Sequence, residues 1–315
     1  MPIPIVIIAG PTASGKTRLS IDTAKNFNGE IISADSMQIY KNMNIGTAKI
    51  SKAEMENIPH HLIDIVDPDY DFSVAEFERL AKAAITDIYK RNKLPIIVGG
   101  TGLYINSIVY TMNFSDFEAE PEFRNKLKKI AQRCGSKILY NRLVKEDPET
   151  AFKIHPNDTK RIIRALEVKK YTGFPISYYQ KESGKRINKE FNTIMIGLNF
   201  RNRELLYKRI NDRVDNMIKN NLINEVEKLL KIGYNKNSTA MQALGYKEII
   251  EYLNGKVSLE EATEKIKQNT RRYAKRQITW FKSYKFIKWF YVDDYLNYDD
   301  LKKNIFSYFA GKLQL

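Results

Sequence analysis

Ile5-Val-Ile-Ile-Ala9 runs directly into Gly10-Pro11-Thr12-Ala13-Ser14-Gly15-Lys16-Thr17, and Gly15–Asn26 reads as the helix that leaves this loop. An unbroken apolar run is the mark of a strand buried on both faces. The residues after it satisfy G-x-x-x-x-G-K-[ST] in the strand-then-helix setting that the pattern requires. Glycines let the backbone curl until successive N–H groups point into one concavity, which suits phosphate oxygens. The helix adds the positive end of its dipole, and Lys16 adds a full charge. Thr17 is placed to ligate a Mg2+ bridging two phosphates. Such a loop recognises a diphosphate, of which ATP is only one bearer.

Outward from this loop, Glu30–Ser33 reads as a second short strand ending at Ala34-Asp35-Ser36. Ser73-Val-Ala-Glu76 has capping-box spacing and opens an amphipathic helix to about Arg91. Pro95 precedes a third strand, Ile96–Val98, which ends in Gly99-Gly100-Thr101-Gly102. Strands alternating with helices imply parallel βαβ units. Glu118–Lys185 has no convincing strand but has helical stretches near Pro121–Gln132, Ser136–Lys145 and Asp158–Tyr171, after which Thr193–Leu198 reads as another buried strand. The expected fold is α/β: a P-loop-type parallel sheet flanked by helices (residues 1–115 and 190–315) with an inserted all-helical domain (116–189). Asn202–Asn220, Ile223–Lys231 and Ser258–Ser283 read as further helices, the last behind a second capping box, Ser258-Leu-Glu-Glu261.

Composition narrows the class. A chain of 315 residues, 43% hydrophobic and 11% aromatic, is globular rather than disordered and long enough for about two domains. Its one cysteine, Cys134, cannot close an internal disulfide, so the reducing cytoplasm is the expected location. The start, Met1-Pro-Ile-Pro-Ile, has no basic n-region of a signal peptide, and no apolar run approaches the roughly 20 residues that span a bilayer. The formal net charge of +15 is uneven. Residues 1–100 hold 11 basic and 12 acidic side chains, whereas residues 201–290 hold 20 and 10. Lys265–Lys288 contains nine basic residues and no acidic one. A near-neutral first third joined to a basic remainder suggests a small-ligand site beside a polyanion-binding surface, the alternative being a solvated basic face. Arg271, Arg272, Lys275 and Arg276 are candidates for phosphate contact, the alternative being salt bridges to the sheet domain.

Asp35 sits at the carboxyl end of a parallel strand, where open α/β sheets bind ligands. A carboxylate there can take a proton from a nucleophile poised over the phosphate loop, although a loop or capping aspartate reads the same way. Gly99–Gly102 brings backbone and the Thr101 hydroxyl to the same edge, or is an ordinary turn. No acid ends the third strand, and this weakens the reading as a kinase or ATPase, whose magnesium is helped by such a residue. His60 and His61 alternate sides in an extended segment, so packing or hydrogen bonding is expected of them rather than a shared metal. Core packing is expected of Trp280 and Trp289.

With these pieces in place the chain resembles the tRNA dimethylallyltransferase (tRNA isopentenyltransferase) family over nearly its whole length. The likeness runs through Gly10–Thr17, Ala34–Tyr40, Gly46-Thr-Ala-Lys49, Pro59–Asp64, Gly99–Tyr104, Asp158–Glu167, Ala243–Glu248 and Thr270–Trp280. The first motif is widespread; the ordered set is specific. The resemblance implies transfer of a dimethylallyl group from its diphosphate to N6 of the adenine immediately 3′ of the anticodon, with the tRNA anticodon stem-loop and dimethylallyl diphosphate as partners and no membrane. It implies Asp35 as general base, Ser36, Met37 and Gln38 lining the target-base pocket, and Thr101 near the reacting centre. It implies that Gly10–Thr17, Lys16 above all, hold the leaving diphosphate with Mg2+, with Arg213 as a second cation. Arg124, Lys160, Arg161 and Arg164 fall on the RNA side; where the family often has Gln-Arg-x-x-Arg this chain has Lys160-Arg161-Ile-Ile-Arg164, so the glutamine's hydrogen bonds do not carry over. A monomer is expected. The alternatives are a phosphate-loop kinase or NTPase acting on a small molecule, a prenyltransferase acting on free adenylate, and an RNA-binding module with a vestigial loop.

Overall fold

Ile5–Ala9 is inaccessible to solvent because neighbours cover both edges and both faces of its strand. In the computed structural model, which describes residues 2–112, 121–183 and 186–314, this strand is β1 (Ile3–Ala9). It is followed by α1 (Lys16–Asn26), β2 (Gly29–Ser33), β3 (His60–His61), α2 (Val74–Lys90), β4 (Leu94–Gly99) and α3 (Gly102–Val109). Helices α4 (Pro121–Cys134), α5 (Ser136–Glu146), α6 (Pro148–Lys153), α7 (Thr159–Thr172) and α8 (Ile176–Ser183) come next. The sheet resumes with β5 (Phe191–Asn199), then α9 (Arg203–Lys219), α10 (Leu222–Ile232), α11 (Tyr246–Leu253), α12 (Leu259–Phe281), β6 (Lys288–Tyr291) and α13 (Tyr298–Leu313).

The sheet has six strands in the order β3-β2-β4-β1-β5-β6, and among the described residues every strand pairing within it is parallel. The carboxyl ends of β2, β4 and β1 therefore lie side by side. Ile8 faces Val98 of β4 on one flank and Ile196 of β5 on the other, which fixes the loop after β1 between both neighbours. One core fills the space among the sheet, α1 and α13, with Ile8, Ile96, Ile196, Leu301, Ile305 and Phe309 buried in it. A second gathers Tyr40 and Met43 with side chains of α9 to α12, including Val214, Val226, Tyr246 and Ile266.

The chain divides into two compact units, Met1–Val109 with Lys189–Leu315, and Tyr110–Asn188. The second is helical, with its own core of Leu127, Leu139, Leu143, Ile162 and Leu166. The expected start of the insertion, residue 116, lies outside the described residues. Within this unit, Arg124 clamps the buried Glu167 carboxylate with both Nε (2.6 Å) and Nη2 (3.0 Å). Cys134, at the end of α4, is an exposed thiol. Among the described residues no helix is long and apolar enough to cross a membrane.

Several elements lie beyond the sequence reading. Strand β3 has only two residues, too few for a pattern, and it brings His61 Nε2 to the Glu30 carboxylate at 2.8 Å while His60 Nδ1 meets the Ile58 carbonyl at 2.8 Å. Strand β6 and helix α13 close the far edge of the sheet. The core placement expected for Trp280 does not hold: it is 39% exposed, with its ring against Gly102 and its indole N–H donated to Asn106. Trp289 is half-buried over Gly197 of β5, as an edge strand allows.

Candidate active site

The loop after β1 begins with a constraint. Gly10 has φ +146°, and a Cβ there would stand 2.4 Å from the Leu198 carbonyl oxygen of β5, so only glycine lets the chain turn this close to its neighbour. The curl continues through left-handed backbone at Ala13 (φ 62°) and Gly15 (φ 93°), so the concavity is not made by glycines alone. Thr12 to Thr17 line a cleft of about 1240 Å³, whereas Gly10 and Pro11 lie behind it. Lys16 folds back over the loop, its Nζ donating to the Pro11 carbonyl at 2.6 Å and reaching Ser14 Oγ at 3.4 Å. Thr17 opens α1 with its hydroxyl exposed and unbonded among the described residues.

Asp35 follows the end of β2 and lines the same cleft with Ser36, Met37 and Gln38. One carboxylate oxygen, Oδ1, accepts the Met37 N–H at 2.9 Å; the other makes no hydrogen bond among the described residues. The Thr101 hydroxyl accepts the Ser36 N–H at 3.0 Å and donates to Ser36 Oγ at 3.2 Å, so it stands just behind that residue. The Gln38 amide is spoken for: Oε1 takes the Ser33 hydroxyl, and Nε2 points at the carbonyls of Thr47 and Ala48.

From the opposite wall, α9 contributes two arginines one turn apart. Arg213 lines the cleft, with Nη2 donating to the Thr47 carbonyl at 3.1 Å. Arg209, which the sequence reading passed over, donates Nε to the Ala13 carbonyl of the phosphate loop at 2.9 Å. The spacing Arg209-Ile-Asn-Asp-Arg213 was a usable signal, because side chains four apart share a helix face. The Thr47 segment is itself fixed by Glu225 of α10, whose carboxylate accepts the N–H groups of Asn44 (2.9 Å), Ile45 (2.8 Å) and Gly46 (3.1 Å) and the Tyr246 hydroxyl (2.6 Å). Nothing local in the sequence marks Glu225.

These charges feel one another. Burial, then the neighbouring Arg213, pull the Lys16 ammonium down to about 7, against a smaller opposing pull from Asp35. Burial likewise lowers Arg213, with Asp35 again opposing. Tyr273 of α12 is pushed up to about 12 by burial and by the Asp35 charge. The cleft thus holds cations disfavoured by desolvation, Lys16 also by the nearby Arg213, beside a carboxylate with a free oxygen. An anion bearing two or more charges relieves that repulsion.

The basic helix α12 carries the remaining candidates. Arg276 lines the cleft. Arg272 and Lys275 are exposed and have no ion pair among the described residues, whereas Arg271 is held by Asn211 of α9 at 2.6 Å. The expected alternative of salt bridges therefore describes none of the four. Lys160, Arg161, Arg164 and Arg124 belong to the helical unit; Arg161 pairs with Asp158, and Arg124 is committed to Glu167.

A parallel sheet that presents a phosphate loop, a neighbouring strand-end carboxylate and paired cations to one cleft defines a P-loop-type protein whose cleft suits an anion. Residues 38–284 match the IPP transferase family. The chain is 71% identical over 313 residues to the tRNA dimethylallyltransferase of Thermoanaerobacter sp. strain X514, with 99% of each covered. It is 51% identical over 316 residues to that of Clostridioides difficile strain 630, again with 99% of each covered. The crystal structure of the full-length tRNA isopentenylpyrophosphate transferase of Bacillus halodurans superposes with a TM-score of 0.74 at 45% identity, covering 99% of this chain and 97% of that one. A eukaryotic dimethylallyltransferase acting on tRNA gives a TM-score of 0.75 at 35% identity, covering 88% and 69%. The chain belongs to the IPP transferase family, that of the tRNA dimethylallyltransferases.

Proposed function

We propose that this protein transfers the dimethylallyl group of dimethylallyl diphosphate to N6 of the adenine immediately 3′ of the anticodon in tRNA, releasing diphosphate. The observation that carries the site assignment is the Asp35 carboxylate, with one oxygen unbonded, in a cleft shared with the desolvated cations Lys16 and Arg213. An exocyclic adenine amine is a poor nucleophile, because its lone pair is delocalised into the ring. As the new C–N bond forms, Asp35 takes the amine proton, a role worth about 10²–10⁴-fold for a positioned base. The allylic C–O bond breaks, and its electron pair leaves with the diphosphate. Lys16, Arg213 and the loop N–H groups meet that developing charge.

The residues present fit Mg2+ as a companion of the diphosphate. Thr17 offers an unbonded hydroxyl and no acid ends β4, so substrate oxygens and water would complete its shell, as this ion prefers. Thr17 would hold the ion there, and the ion would supply further neutralisation of the leaving group. Ser36, Met37, Gln38 and Thr101 sit on the acceptor side, and Arg272, Lys275 and Arg276, with Lys160, Arg161 and Arg164, offer charge to the RNA backbone. A monomer working in the cytoplasm is the expected setting. Purified protein with Mg2+ and labelled dimethylallyl diphosphate is expected to modify an unmodified tRNA bearing adenine 3′ of its anticodon, seen by mass analysis of the nucleoside. Absence of incorporation across several such tRNAs overturns the assignment.

A further inference from the structure

Gln277 lies on the buried side of α12, one turn after Tyr273 and next to Arg276. Its amide is used at both ends. Oε1 accepts the N–H of Thr12 in the phosphate loop at 3.0 Å, and Nε2 donates to the carbonyl of Gly100, just past β4, at 3.0 Å. One side chain thus ties together the loops that follow β1 and β4, across a sequence separation of 265 residues on one side and 177 on the other. The approach is tight enough that a Cβ on Gly100 would stand 2.1 Å from Nε2. Thr101, one residue past Gly100, accepts the Ser36 N–H, so the turn that Gln277 grips also carries the contact that holds Ser36 beside Asp35. The Thr12 N–H is therefore engaged by protein rather than directed at a phosphate.

We propose that Gln277 is a positioning residue of the reaction: its amide fixes the phosphate loop against the Gly100 turn and so sets the separation between the diphosphate cradle and the Asp35 carboxylate. The inference rests on the diphosphate-binding reading above. A buried amide satisfied at both ends is rigid, and loss of either partner leaves a backbone group unpaired. The loop then relaxes, and the cost falls on whatever the loop holds. The exposed cations of α12 offered to RNA, Arg272 and Lys275, lie on other faces of the helix and keep their exposure.

The test uses the full chain, with dimethylallyl diphosphate binding measured by calorimetry, tRNA binding by filter retention, and the melting midpoint as a check on folding. Gln277→Met keeps the size and removes both hydrogen bonds; it is expected to weaken dimethylallyl diphosphate roughly ten-fold while leaving tRNA affinity within about two-fold. Gln277→Glu keeps the acceptor for Thr12 but donates to Gly100 only when protonated. Relative to the parent protein, its diphosphate affinity is expected to recover between about pH 8 and about pH 6, a trend that Gln277→Met does not share. Equal losses for both ligands, unchanged diphosphate affinity in Gln277→Met, or no recovery in Gln277→Glu would each overturn the proposal. If the parent protein itself does not bind dimethylallyl diphosphate, the functional reading fails and takes this inference with it; if the parent binds and Gln277→Met binds equally, only this inference fails.

Discussion

At Lys16, burial and the nearby Arg213 both oppose the charge, so the ammonium titrates at about 7 instead of the ordinary 10.5. In the unfolded chain the proton stays on up to the higher value. Between the two, the unfolded state holds more protons, so this residue makes folding stability fall as pH drops from about 10.5 to about 7 and adds no further pH dependence below that. A bound diphosphate reverses the balance and restores the proton. Pyrophosphate binding between about pH 7 and about pH 8 is therefore expected to take up a proton, visible as a binding enthalpy that changes with the buffer's ionisation heat, and Lys16→Met is expected to abolish it. Asp35→Ala is expected to remove most turnover, by about 10²-fold or more, with tRNA affinity within a few-fold in filter binding. Both residues are readable because their signal is local: a loop pattern behind a strand, and an acid at a strand's end. Arg209, Glu225 and Gln277 serve the same cleft through bonds to distant backbone, and a single arginine, glutamate or glutamine carries no local mark of such a partner.

Helix α12 shows how one element divides its faces. Ala274, Gln277 and Phe281 are buried, while Arg272, Lys275 and Arg276 are turned outward. Each outward charge that releases a counterion from RNA adds to the salt dependence, so Arg272→Ala and Arg276→Ala are each expected to lower the log–log slope of tRNA binding by about one. Arg271, held by Asn211, is expected to contribute less, and a slope unchanged in both variants would take this helix out of the interface. The helix starts at a reciprocal cap, Ser258 with Glu261, and Ser258→Ala is expected to cost about 1 kcal/mol in urea unfolding. Caps and apolar periodicity made α2 and α12 legible from sequence. The two-residue β3 and the mixed Lys288–Tyr291 strand gave no comparable signal, because the sheet's edges, not their own pattern, make them strands.

Across the whole molecule, the sheet separates chemistry from support. At the end of β2 away from Asp35, Glu30 is buried and accepts bonds from Arg91, Lys93 (2.8 Å) and His61 (2.8 Å). The Arg91 guanidinium holds its carboxyl far below the usual carboxylate range. This stabilisation is complete above the unfolded value of 4.5 and is lost as pH falls through the folded one. Glu30→Gln is expected to lower unfolding stability by about 1–3 kcal/mol while leaving turnover unchanged, since neither Glu30 nor its partners Arg91, Lys93 and His61 line the cleft. The change from alternating strands to continuous helices is legible in the sequence; the expected boundary at 115/116 lies outside the described residues, while the compact helical unit runs Tyr110–Asn188.

The lone exposed sulfhydryl, Cys134 at the tip of α4, has a practical consequence. Maleimide dyes will label the natural chain at that one position, on the helical unit, without any engineered mutation. Paired with a fluorophore on a tRNA stem, such a conjugate turns any approach of that unit to its nucleic acid into an energy-transfer signal followed in real time.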